Sequence, residues 1–218
     1  MANKPKLSIL IPTYNRAEML YFALKQLTKQ TFQDFKVYIY DDGSEDNTKN
    51  IVLSFGKRLN ITYVKGEKNK GVAFARNELL KLVDTEYFAW QDSDDLSTSD
   101  RFEKQIAKIV ENKADVCFTY LYFFRHPNTS RRNVAVVDVS KYTSRAGLSN
   151  NMGFATGLFK SKLAKIKFNS RLKKKEDVAW MVKLMDKKTK FTCVKEPLYY
   201  VRRHPGRLTV NENENNNL

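Results

Sequence analysis

Cysteine and histidine are scarce, with two of each in 218 residues. Cys117 and Cys193 stand too far apart for a disulfide framework, and a reducing cytoplasmic setting is expected. Neither has a second cysteine or a histidine at zinc-ligand spacing, and no H-E-x-x-H occurs. Glycine is also sparse. None of the eight stands two residues from another, which excludes a dinucleotide fingerprint, and there is no G-K-[ST] phosphate loop. No stretch approaches the ~18 uninterrupted apolar residues of a membrane span. The opening residues lack a signal-peptide pattern, because their apolar run is short and leads into a turn. Acid is scarce relative to base: 24 Asp and Glu against 39 Lys and Arg leave a net charge of +15. Such a surface favours polyanions such as nucleic acid, anionic lipid or phosphorylated small molecules. A solvated basic face is the alternative, and composition does not choose between them.

What is present is globular: 42% apolar and 29% charged residues. The first half alternates strand and helix. Residues 7–11 are an apolar run expected to end at Pro12, followed by Leu20, Ala23, Leu24 and Leu27 on one helical face. Residues 37–40 and 61–64 read as strands with a short helix between them. Val72, Ala75, Leu79 and Leu82 form another helical stripe, residues 87–90 another strand, and Phe102, Ile106, Ile109 and Val110 another helix. This alternation predicts an α/β fold with a mainly parallel sheet flanked by helices. The second half is less regular. Residues 116–124 are aromatic and β-like, residues 133–139 are expected to pair with them, and residues 143–157 suit a loop. A helix is expected to start near Glu176 and Asp177, burying Val178, Met181, Val182 and Met185. The Asn-rich residues 209–218 read as a tail or the start of a linker, with the chain then one module of a longer protein.

In parallel sheets ligands bind beyond the carboxyl ends of the strands. Three polar clusters fall there: residues 12–16, residues 41–44, and Asp92-Ser93-Asp94-Asp95. The last puts three carboxylates into four positions, an arrangement that a cation neutralises, and hard oxygen ligands suit Mg²⁺ or Mn²⁺. A helix N-cap reads equally well from the residues alone. The Asp41-Asp42-Gly43-Ser44 cluster is similarly either a turn or a binding loop.

Ile11-Pro12-Thr13-Tyr14-Asn15-Arg16, Asp41-Asp42-Gly43-Ser44, Asn69-Lys70-Gly71 with Ala75-Arg76-Asn77, and Asp92-Ser93-Asp94-Asp95 together resemble the family 2 glycosyltransferases of GT-A fold. Weaker similarity continues through Gly157-Leu158-Phe159, Lys175-Glu176-Asp177 and Tyr200-Val201-Arg202-Arg203-His204. The resemblance implies an inverting, non-processive enzyme. It would move one sugar from a nucleotide-diphosphate donor, UDP-linked by expectation, to a glycan or other hydroxyl acceptor. It implies that Tyr14 lies against the base, with Pro12, Thr13 and Arg16 shaping the pocket. Asp42 would accept from uracil N3–H. Asp92, with Ser93 beside it, would contact the ribose, and Arg76 would help neutralise the donor. Asp94 would hold a divalent metal, Mn²⁺ or Mg²⁺, with His204 completing the site. Asp177 would be the catalytic base, with Glu176 next in line; by charge alone Asp177 is a helix-start residue.

Two departures stand out. Gln91 replaces an apolar strand residue, which predicts a more open strand end. The Q-x-x-R-W motif of processive relatives is absent, which argues for single addition. The expected organisation is one domain over residues 1–208, with a donor half to about residue 115 and a small mixed acceptor region after it. A sugar-1-phosphate nucleotidyltransferase is the enzyme alternative, but residues 11–16 contain no glycine. A basic nucleic-acid-binding module is the non-enzyme alternative. Its basic pairs (Arg131-Arg132, Lys173 to Lys175, Arg202-Arg203) lie apart from the aromatic run, so no nucleic-acid partner is expected. Peripheral contact with an anionic membrane surface stays open.

Overall fold

The structure is a computed structural model and describes residues 5–124, 133–135, 153–204 and 207. The first strand, β1 (Leu7–Thr13), is buried along its whole length, as a central parallel strand must be. It runs through Pro12 instead of stopping there. The reason lies in the pairing. Leu10 O accepts from Gln91 N, so residues 10 and 12 face the same neighbouring strand, which ends at Trp90. The N–H that proline lacks would have had no partner on that side.

Helix α1 (Ala17–Leu27) buries Leu20, Ala23, Leu24 and Leu27, the face its spacing predicts. It is followed by β2 (Phe35–Asp41), α2 (Thr48–Ser54), β3 (Ile61–Lys65), α3 (Val72–Lys81) and β4 (Tyr87–Trp90). A two-residue strand, β5 (Leu96–Ser97), precedes α4 (Arg101–Asn112). The second half supplies β6 (Val116–Phe124), β7 (Asn133–Ala135), β8 (Leu158–Lys160), α5 (Glu176–Met185) and β9 (Phe191–Arg202).

The described strands form one sheet in the order β3-β2-β1-β4-β8-β6-β9-β5, with β7 on β6. The first four are parallel, β8 is antiparallel to both its neighbours, and β9 runs parallel to β6. Alternate residues therefore feed two cores. Leu7, Ile9, Ile11, Val37, Ile39 and Ala89 meet α1, α2 and α4 on one face. Leu10, Tyr38, Phe88, Trp90, Phe118 and Phe159 meet α3 and α5 on the other. The second core is aromatic: Trp180 stacks on Phe168 at 5.0 Å and meets Phe159 edge-on at 5.3 Å.

Some expectations change. Val110 is 60% exposed, because α4 turns it away from the sheet. In α5 the deeply buried residues are Trp180, Met181 and Leu184, while Val178, Val182 and Met185 are only partly covered. Of the expected strand 133–139, residues 133–135 pair antiparallel with β6. Residues 136–139 lie outside the described residues, as do most of the expected loop 143–157 and the 209–218 tail; within that loop Phe154–Thr156 is a short 3-10 turn. Strands β5, β8 and β9 were not read from sequence.

Candidate active site

Loops after β1, β2 and β4 meet at one sheet edge, as parallel connections require. Asp42 N donates to Thr13 O at 2.9 Å, extending the β1–β2 ladder by one residue. Asn15, with a φ of 48°, donates its N–H to Ser44 Oγ at 2.8 Å, and its Oδ1 accepts from Glu45 N at 2.9 Å. Gly43 has a φ of 85°, and a Cβ there would lie 2.8 Å from the Lys68 backbone, so only glycine fits this crossing.

Asp42 is 3% exposed. Its carboxylate accepts from Lys70 N at 2.9 and 3.0 Å and from Gly71 N at 2.7 Å. Burial raises its pKa, against the lowering effect of those N–H groups. Asp42 thus ties the residue 69–71 turn to the end of β2. Tyr14 is 42% exposed on the rim above, the exposed aromatic of this edge. Pro12 and Thr13 are buried beneath it, and Thr13 Oγ1 has no partner among the described residues.

The Asp92 to Asp95 loop is held from several sides. Asp92 N donates to Tyr199 Oη at 3.1 Å, and Asp95 N to Asp92 O at 3.2 Å. Arg202 Nε donates to Asp94 O at 2.9 Å, and Arg202 N to Asp95 Oδ1 at 2.8 Å. Ser93 is buried between the acids. His204 Nε2 lies 2.9 Å from Asp94 Oδ2, and Arg16 Nη1 pairs with the same oxygen. Burial opposes ionisation of Asp94, but the His204 hydrogen bond and the Arg16 charge outweigh it and hold its pKa low. Asp92 is pushed up by burial, with Arg76 acting against this and Asp94 and Asp177 adding to it.

The start of α5 is tied to the acidic loop through one side chain. The bridge is Arg76, 6% exposed. It donates to Glu176 Oε1 at 2.7 Å and stands 3.6 Å from Asp92 Oδ1. Its guanidinium packs over Phe154, Phe168 and Trp90 at 4.7, 5.6 and 5.8 Å. Among the described residues Asp177 Oδ1 accepts a local bond, from Val178 N at 2.8 Å, and the side chain is partly exposed. The expected site residues therefore share one edge. Sequence reading missed Tyr199 and Arg202 as supports, because only pairing of β9 with β5 and β6 carries them under the loop.

A divalent cation fits this set. Asp94 and His204 bring a carboxylate oxygen and an imidazole nitrogen together, 2.9 Å apart, and both are donor types that a divalent cation takes. No group of three or more His, Cys, Asp and Glu in metal-holding geometry occurs among the described residues. Two protein donors are nonetheless typical for Mg²⁺-like ions that also take phosphate oxygens and water.

The sequence profile described as Glycosyl transferase family 2 matches residues 8–171. The chain belongs to that family. The family's GT-A fold is shared with the Staphylococcus aureus TarS 1-349 structure in complex with UDP-GlcNAc, at a TM-score of 0.78 and 25% identity. That alignment covers 93% of this chain and 60% of TarS 1-349. A Pyrobaculum calidifontis mannosyltransferase in complex with GDP-Man and Mn²⁺ shares the fold at a TM-score of 0.71 and 17% identity, over 94% of this chain and 59% of that one. Among curated relatives is the Escherichia coli UDP-Glc:alpha-D-GlcNAc-diphosphoundecaprenol beta-1,3-glucosyltransferase WfgD, 34% identical over 113 residues. The match takes in 52% of this chain and 44% of WfgD; for an uncharacterized glycosyltransferase of Rickettsia conorii, 38% identical over 110 residues, the shares are 50% and 18%. The chain thus spans less than half the length of these relatives. No helix among the described residues is long and apolar enough to cross a membrane.

Proposed function

We propose that this chain transfers one sugar from a UDP-sugar to an acceptor hydroxyl, with inversion and dependence on a divalent metal. The observation that carries the reading is the meeting of Asp94 with His204 at one end of the acidic loop, while Arg76 links its other end to the start of α5. The UDP-GlcNAc complex of TarS and the UDP-glucose activity in the name of WfgD support the uridine donor.

In this reading Tyr14 stacks on the base. Asp42 uses its remaining acceptor capacity for uracil N3–H, which cytosine could not supply. Asp92 and Ser93 hold the ribose. Asp94 and His204 would hold Mn²⁺ or Mg²⁺, which when bound supplies positive charge to the diphosphate leaving group. Arg16 turns from Asp94 to the diphosphate as the donor enters. Arg76 stays in place, because Glu176 and three rings hold it, and acts as a fixed positive charge beside Asp92. Asp177 takes the acceptor hydroxyl proton as that oxygen attacks the anomeric carbon, and the sugar–phosphate bond breaks on the opposite face. The donor half takes residues up to about 115, and residues 116–208 supply the acceptor side. Exposed Lys162, Lys165, Lys167 and Lys173 to Lys175 give that side a basic face suited to an anionic membrane surface in the cytoplasm. The test is a panel of nucleotide sugars with Mn²⁺, read as nucleoside diphosphate release. Release from a UDP-sugar that stops with chelator is expected; release from none, or release indifferent to chelator, overturns the reading.

A further inference from the structure

Gln91 follows β4 directly and is 1% exposed. The open strand end expected there does not form. Its Nε2 donates to Asp92 O at 3.1 Å and to Asp95 O at 3.0 Å, across the base of the acidic loop. Its Oε1 accepts from Ser97 Oγ at 2.6 Å and from Arg101 Nη1 at 3.3 Å. Arg101 is fully buried, and among the described residues its guanidinium donates to neutral acceptors. Nη1 donates to Ser97 Oγ at 2.9 Å, Nε to Gln105 Oε1 at 3.0 Å, and Nη2 to Trp90 O and Ala155 O at 3.1 and 2.9 Å. Gln105 then donates to Thr156 O at 2.8 Å and Cys117 O at 2.6 Å. The guanidinium also lies 4.7 Å from the Tyr199 ring, whose hydroxyl holds Asp92 N.

A helix docking on a sheet needs no such group; an apolar side chain would serve, and a buried cation without a touching carboxylate carries a desolvation cost. What this cation gains is position. Its donors are spread over the end of β4, the strand after the acidic loop, and the turn before β8. The acidic loop and that turn come from distant parts of the chain; the Gln91–Arg101 network joins them by hydrogen bonds, and Arg76 joins them separately through its approach to Asp92 and its packing on Phe154. We propose that Gln91 and Arg101 are positioning residues. They hold residues 92–95 in the shape that takes metal and donor, and lock that loop to the 153–157 turn on the acceptor side. The role rests on the donor reading above, since it is the donor site that the network shapes.

The test is Gln91→Leu, which keeps the volume and removes both donors and the acceptor. Amide hydrogen exchange over residues 92–97 should speed up about tenfold or more. Calorimetric affinity for UDP with Mn²⁺ should fall about tenfold, and the donor KM should rise more than kcat falls. Arg101→Lys, which keeps the charge but not the fork of donors, should move all three readings the same way. If Gln91→Leu does not fold, Ser97→Ala removes one hydroxyl from the same network and carries the test with the same directions. Unchanged exchange, or faster exchange with unchanged UDP affinity, overturns the positioning role while leaving the donor reading intact. A wild-type protein that binds no uridine diphosphate with Mn²⁺ overturns the donor reading, and this inference with it.

Discussion

Asp94 and Asp177 separate at the level of single atoms. Asp94 Oδ2 is shared by His204 and Arg16, whereas Asp177 Oδ1 accepts, among the described residues, a local backbone bond at the helix start. Asp94→Asn should abolish the Mn²⁺-dependent part of UDP binding, seen by calorimetry with and without the ion, because the amide keeps the size and loses the ligand charge. Asp177→Asn should leave UDP affinity unchanged and lower transfer by ~10²–10⁴, the range for a lost general base. A purely helix-starting role would instead cost about 1 kcal/mol of stability and leave turnover per folded molecule alone. Melting curves beside transfer kinetics on the same variant decide between them. At this scale the sequence was informative about residue type and silent about partners. Nothing in it indicated that Asp42 would be held by Lys70 N and Gly71 N, or that Gln91 would be closed over by Arg101.

Elements depend on a few ionic anchors at their ends. Asp115, at the entrance to β6, is 2.7 Å from Lys162 and 3.6 Å from Lys160, and accepts from Lys190 N at 3.2 Å. Burial opposes its ionisation, but Lys162 and the Lys190 N–H outweigh that and lower its pKa. A depressed carboxyl contributes stability above its unfolded pKa of about 3.9, and that contribution is lost as pH falls through the folded value. Asp115→Asn should therefore cost about 1 kcal/mol at pH 7, with the difference from wild type shrinking below about pH 4. Urea unfolding at the two pH values measures it. The first-half elements were legible because a residue's burial there follows its own repeat: Leu20, Ala23, Leu24 and Leu27 are one helical face and are buried. Val110 broke the rule because α4 packs through Phe102, Ile106 and Ile109, which leaves it over water.

For the whole molecule, the donor couples to stability by mass action. A ligand at a hundredfold excess over its Kd stabilises by about 2.7 kcal/mol, which for a protein of this length is roughly 5–10 °C in Tm. UDP with Mn²⁺ should produce such a rise, and GDP with Mn²⁺ a smaller one. A larger shift with GDP would remove Asp42 from the uracil assignment, since guanine N1–H can also reach a carboxylate.

By itself the sequence determined the parallel half of the sheet, the polar loops at its carboxyl edge and the family resemblance. Those depend on short-range repeats and on motifs of a few contiguous residues. Only the tertiary structure decided how the second half completes the edge. Strand β9 pairs with β6 and β5 through contacts some 75 to 105 residues apart, and that pairing carries Tyr199, Arg202 and His204 to the acidic loop. The same long-range closure brings Glu176 to Arg76, and the turn at Ala155 to Arg101. Such contacts leave no periodicity in the chain, because each depends on where a distant strand or helix comes to rest.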